Sequence, residues 1–162
     1  MRIVTFEQFG EPADVLSVCD LDDPRPESGQ VLVRMLASPV NPSDLMFIRG
    51  TYGRSTPLPA TPGFEGVGVV EDGRGFLARR LIGRRVAVLN RQNGNWCERT
   101  VVPATQAVPL PEDIPIEQAA SFFVNPATAY AMTRQVLRVP RGEWLLQTAA
   151  GSALGRMVIA LG

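Results

Sequence analysis

The sequence predicts a mainly β fold with some α. A compact barrel or sandwich of short strands comes first, then bridging helices, then the opening of a parallel βαβ unit. Three observations predict it. Up to about residue 111 the chain is a series of short apolar runs punctuated by Pro and Gly, the pattern of strands joined by turns. After Pro111 the apolar residues fall at helical spacing. The last stretch, "WLLQTAAGSALGRMVIALG", passes from an apolar segment through a glycine turn into a second apolar segment, in the order strand, turn, helix. The expected division is residues 1–120 and 121–162.

In chain order, "MRIVTF" alternates and reads as the first strand. "DVLSVCDL" follows a Gly-Glu-Pro turn as the second, and "PRPESGQ" leads into "VLVRMLASPV". "FEGVGVV", "RRVAVLN", "CERTVVPA" and "AVPLP" are the later runs. Strands this short are unstable alone and need pairing over a shared core. "PEDIPIEQAASFFVNPATAYAMTRQVL" has an acidic opening and Pro115 near a helix start. Pro126 lacks an amide donor and restricts Asn125, so the helix is expected to break in two there. "WLLQTA" is the expected strand, "AGSALG" the turn and "RMVIALG" the helix. A lone strand and helix cannot bury both faces, and a parallel partner is required. The expectation is a polypeptide cut short within this unit, or an open edge covered by another chain, as in domain swapping.

Composition removes several function classes. Sixteen basic and sixteen acidic residues cancel, which argues against a general affinity for nucleic acid. Every base is Arg, a pattern that codon bias explains. No apolar run is long enough to span a bilayer and the start has no signal-like segment. Cys19 and Cys97 have no CxxC spacing and read as reduced thiols, so a cytoplasmic location is expected. The chain has no histidine. That rules out Ser-His-Asp and Cys-His catalysis within it and removes the commonest ligand of a catalytic zinc.

Four stretches then carry a resemblance: "VLVRMLASPVNPSDLMFIRGTYG", "LPATPGFEGVGVV", "GNWCERTVVPATQAVPLPEDIPIEQAASFFVNPATAY" and "AAGSALG". Together they resemble the medium-chain dehydrogenase/reductase superfamily over the whole chain. The resemblance implies a GroES-like, partly open β-barrel followed by the first strand, turn and helix of a Rossmann domain. Zinc enzymes of that superfamily carry Gly-His-Glu where this chain has Gly63-Phe64-Glu65. They also carry a cysteine just before the Asp of the loop that here reads "NPSD". Both ligand positions are replaced and the four-cysteine lobe is missing, so the resemblance is to the zinc-independent branch, with no metal expected. Within it, "VNPSD…IRGTYG", "LPATPGFEG", "GNW" and "VNPATAY" are similar to mitochondrial-type trans-2-enoyl thioester reductases. Quinone reductases share the NPSD-type loop and the glycine turn.

The resemblance implies a hydride from NADPH to Cβ of an activated C=C bond and a proton to Cα. Tyr52, in the family's tyrosine position, would assist that proton; a phenol is protonated at neutral pH and can donate. Read from the residues alone, Tyr52 is a half-buried tyrosine of a Gly-rich turn with its hydroxyl in water. Asn125 and Thr128 are implied cofactor contacts, with helix capping as the alternative. Gly151, Ser152, Ala153 and Leu154 are implied to hold the pyrophosphate, where glycines admit backbone amides to the anion at a helix N-terminus. Ala153 stands where relatives often have another glycine. Asn41 is expected on the substrate side, Asp44 as a helix cap, and Glu65 as a hydrogen-bond acceptor inside the barrel. Trp96 reads as a strand residue near the cleft. Phe122 and Phe123 read as pocket or core, and Arg79-Arg80 and Arg84-Arg85 as solvated surface or an anion contact. The implied partners are a small-molecule or thioester substrate and a second copy in the full-length protein, with no nucleic acid or membrane. A barrel that acts only by association is the reading from another class.

Overall fold

The computed structural model describes residues 1–53, 56–90 and 94–162. These divide into two compact units, Met1–Ser121 and Phe122–Gly162.

Unit 1 is built on a five-stranded antiparallel sheet: β3 (Gln30–Ala37), β4 (Glu65–Gly73), β5 (Arg85–Leu89), β6 (Arg99–Pro103) and β7 (Ala107–Pro109), in the spatial order β6-β3-β4-β5-β7. A second ladder pairs β1 (Arg2–Thr5) with β2 (Ser17–Asp20). Val31, Val33, Val70, Val86, Val88 and Val102 point to one side and are buried together. β-branched side chains at every second position suit a pleated surface with one dry face. Gly68 lets β4 lie close to β3: a Cβ there would come within 2.5 Å of the Arg34 carbonyl oxygen. Register shifts between Leu32 and Val33 and between Met35 and Ala37 bend the β3–β4 pair, as bulges do.

Four short α-helices among the described residues decorate this unit. α1 (Pro12–Val15) precedes β2, so the segment expected as the single strand "DVLSVCDL" is a helical turn followed by a shorter strand. Pro12 at its first position explains the turn, because a proline ring is set for a helix start. α2 (Pro42–Ile48) starts the same way on Pro42, and α3 (Phe76–Arg79) follows β4. A second core, Phe6, Phe47 and Ile48, packs α2 against the end of β1, with Phe64 and Trp96 against it. α4 (Ile116–Ala120) begins after Pro115 and lies on β3 and β4.

Unit 2 holds α5 (Val124–Tyr130), which runs into a π-helical turn at Ala131–Val136, and α6 (Ala153–Leu161) packed on α5. The expected break at Asn125-Pro126 lies earlier, between Ala120 and Val124, where Phe122 and Phe123 meet edge to face. Pro126 instead occupies the first turn of α5, where an N–H would have no intrahelical partner. The expected strand "WLLQTA" is not formed. Residues 143–147 carry no ladder among the described residues, and Trp144 and Leu146 are 97% and 95% exposed. A strand exists through its neighbour, and these residues have none. Among the described residues no helix is long and apolar enough to cross a membrane.

Candidate active site

The opening of β4 is the polar centre of unit 1. Asn41 caps α2, and Asp44, three residues on, is fully buried. Asp44 Oδ2 accepts the Asn41 backbone N–H at 2.8 Å. Its Oδ1 accepts the N–H groups of Gly63 at 3.2 Å and Phe64 at 3.1 Å. Burial pushes the Asp44 carboxyl above the usual carboxylate range; these backbone bonds pull it back, and the nearby Glu65 adds to the push. Glu65 is buried as well and accepts Asn41 Nδ2 at 2.9 Å. The acid among glycines is thus a satisfied acceptor within the sheet.

Phe64 fills the place next to it. Its ring lies 5.2 Å from that of Phe47 and 5.0 Å from that of Tyr52, the latter nearly parallel at 29°. Tyr52 is 43% exposed, so one face of the phenol is held while the remainder stays accessible. Gly50 and Gly53, at φ +74° and +72°, shape the turn that carries it. The structure therefore brings Asn41, Asp44, Phe64, Glu65 and Tyr52 into one connected group. Asn41 directs its amide nitrogen to Glu65, and Trp96 sits in a bend rather than a strand, donating Nε1 to the Pro39 carbonyl at 3.3 Å. The sequence did not disclose the Asp44–Phe64 link or the stacking of Phe64 on Tyr52. An aromatic residue between a glycine and an acid, 12 residues from a tyrosine, was the available signal.

In unit 2 the glycine turn opens α6. Ser152 is its N-cap and accepts the Gly155 N–H at 3.0 Å through Oγ. A Cβ on Gly155 would lie 2.6 Å from the Ala150 carbonyl oxygen, so helix and turn touch only because that side chain is absent. A Cβ on Gly151 would meet nothing within 4 Å, leaving open space beside the helix start. Backbone N–H groups at such an end, with the helix dipole, suit an anion. Ala153 is the first helical residue of α6. Asn125 lies in the first turn of α5, and Thr128 Oγ1 donates to the Val124 carbonyl at 2.6 Å, back along its own helix.

Among the described residues no three or more His, Cys, Asp or Glu side chains are grouped to hold a metal ion. Cys97 and Cys19 are unpaired. Burial pushes the Cys97 thiol from 9.0 up to about 11, against weaker hydrogen bonds from Thr100 and Arg99. Since the thiolate is the reactive form, Cys97 is expected to alkylate with iodoacetamide at pH 8.5 roughly tens of times more slowly than a thiol of ordinary pKa. Peptide mass spectrometry over time checks this, and a rate equal to a model thiol's would contradict the burial.

Comparisons with known proteins bear on this site. The alcohol dehydrogenase GroES-like domain matches residues 27–112. A mitochondrial enoyl-[acyl-carrier-protein] reductase of Xenopus tropicalis is 38% identical over 161 residues, covering 99% of this chain and 46% of that protein. A candidate NADPH:quinone reductase from Bacillus thuringiensis superposes with a TM-score of 0.91 at 41% identity, over 99% of this chain and 48% of that one. A solved Etr1p/NADP/crotonyl-CoA complex superposes with a TM-score of 0.83 at 29% identity, over 97% and 50%. The chain spans about half the length of the curated relatives it matches. The chain belongs to the alcohol dehydrogenase GroES-like family, within the medium-chain dehydrogenase/reductase superfamily.

Proposed function

We propose that the chain forms the barrel and the opening of the cofactor domain of an NADPH-dependent, zinc-independent reductase of activated C=C bonds, with a 2-enoyl thioester as substrate. The observation that carries this is the partly exposed Tyr52 phenol stacked on Phe64. Relatives named as enoyl reductases and the complex holding NADP with crotonyl-CoA support it.

When bound, NADPH supplies the hydride that adds at Cβ. The chain's own groups do the rest. As the double bond shifts, negative charge gathers on the thioester oxygen, and a preorganised donor there lowers the barrier. The Tyr52 hydroxyl is that donor; as the enolate collapses its proton goes to Cα, and the phenolate, being partly exposed, regains one from water. Phe64 keeps the ring from rotating away. Asn41 lines the substrate side. Asn125 and Thr128 contact the nicotinamide half of the cofactor, while Gly151, Ser152, Ala153 and Leu154 meet its pyrophosphate at the start of α6. The full-length protein is a homodimer in this reading, and its two unpaired thiols suit a reducing, cytoplasmic setting.

The second reading is a quinone reductase, favoured by the 41% identity and TM-score of 0.91 to the Bacillus thuringiensis protein. A quinone needs hydride positioning and less help from an acid. Steady-state assays of the protein carrying this chain, with crotonyl thioester and with a quinone, separate the two. Tyr52→Phe is expected to lower thioester kcat about 100-fold and quinone kcat less than about 3-fold. A thioester rate that ignores the substitution ends the role of Tyr52. If NADPH shows no saturable binding, the chain is a barrel that works by association alone.

A further inference from the structure

The sheet opening contains two fully buried carboxylates, Asp44 and Glu65, on one joint. Burying charge is costly, and apolar side chains of similar volume often stabilise a joint as well. A helix cap alone needs one acceptor oxygen. Asp44 gives Oδ2 to its own helix, on the Asn41 N–H at 2.8 Å. Its other oxygen reaches across 19 and 20 residues to the N–H groups of Gly63 and Phe64. One end of that reach is α2, whose last turn leads through Arg49, Gly50 and Thr51 into Tyr52. The other end is the residue whose ring lies 5.0 Å from Tyr52's. Asn41 ties the same joint again, its amide on Glu65 at 2.9 Å.

We propose that Asp44 is the positioning residue of Tyr52: a single carboxylate fixes both the segment that delivers the phenol and the Phe64 ring that holds it. Asp44 touches no substrate in this role. It sets where the hydroxyl stands, which matters because a misplacement of about 1 Å can cost on the order of 100-fold in rate. The inference rests on the thioester reading for its catalytic consequence, while its geometric claim stands apart from it.

Asp44→Asn is the test, because the side chain keeps its shape and loses one acceptor. Whichever way the amide turns, its NH₂ meets an N–H that the carboxylate had accepted. 3-Fluorotyrosine placed at position 52 alone, by genetic code expansion, reports on Tyr52 alone. In the protein carrying this chain, Asp44→Asn is expected to move that ¹⁹F signal toward its unfolded value. Thioester kcat should fall 10- to 100-fold with KM changed less than about 3-fold, an effect confined to the reacting geometry. Ile48→Val, at a buried neighbour on α2, serves as the control: it lowers the melting temperature and leaves the signal in place. An Asp44→Asn signal equal to the parent's, or one matched by Ile48→Val at equal loss of stability, overturns the proposal. If Asp44→Asn does not fold, Asn41→Ala cuts the parallel tie and is read the same way, with a smaller displacement expected and an unmoved signal counting against the joint. A displaced signal in a protein that reduces no thioester keeps the geometry and discards the substrate reading.

Discussion

Gly94→Ala destabilises unit 1 by about 2–5 kcal/mol, enough to remove a large share of a domain's net stability. Gly94 has φ +71°, where a Cβ is strained against its own backbone. That Cβ would also lie 2.3 Å from the Thr61 carbonyl oxygen and 2.5 Å from that of Pro62. The Pro62 oxygen is held in place, already accepting the N–H groups of Asn95 at 3.0 Å and Trp96 at 3.1 Å. The Gly94 carbonyl is held too, by Asn90 Nδ2 at 2.7 Å and Thr100 Oγ1 at 3.2 Å. Gly83→Ala is the matched control. Its φ is +78°, but a Cβ there meets nothing within 4 Å, so only the conformational cost of about 1–2 kcal/mol applies. Urea melts of the two variants check the contrast. Equal midpoints would show that the close approach at Thr61 is not real.

The same contrast explains what the sequence disclosed and what it withheld. The valines of β3 and β5 and the proline starts of α2 and α4 are local signals, and they place those elements within a few residues. Glu65 as an internal acceptor and Asp44 as a cap were legible because an acid between glycines, or after Asn-Pro, has few other uses. The break before α5 was displaced because Pro126 was read as a breaker, whereas in a first turn it removes a donor that has no partner. The strand expected at "WLLQTA", residues 144–149, failed for a different reason. Its apolar pattern is real, but a parallel strand is made by the neighbour it bonds to, and none of the described residues supplies one. Hidden altogether was the second use of Asp44. A bond from residue 44 to residues 63 and 64 depends on the sheet bringing them together, and no local spacing announces it. Of the candidate site, the sequence therefore supplied the residue types and the structure supplied the ties among them.

Phe6→Ala is expected to cost about 3–5 kcal/mol, and its effect should travel beyond its own pocket. Phe6 is completely buried at the end of β1, with its backbone paired to Ala60 at 2.9 and 3.0 Å. Its ring meets Phe47 edge-on at 5.5 Å, and from there a chain of rings runs through Phe64 to Tyr52 at 5.2 and 5.0 Å. Truncation leaves a cavity under α2 that the surrounding backbone can only partly close, because β1 is anchored on both sides by ladder bonds. Phe47 then has room to tilt into it, and Phe64 loses the support of Phe47. Phe6→Leu keeps most of the volume and should cost less than about 2 kcal/mol. Two measurements decide the matter. Urea unfolding gives the stability loss, and a value for Phe6→Ala below about 1 kcal/mol would mean that the cluster is not packed as described. A double-mutant cycle with Tyr52→Ala gives the coupling between the ends of the ring chain, which should exceed about 0.5 kcal/mol if the rings act as one cluster. Strict additivity would confine Phe6 to stability and leave Tyr52 positioned by the polar joint at Asp44 alone.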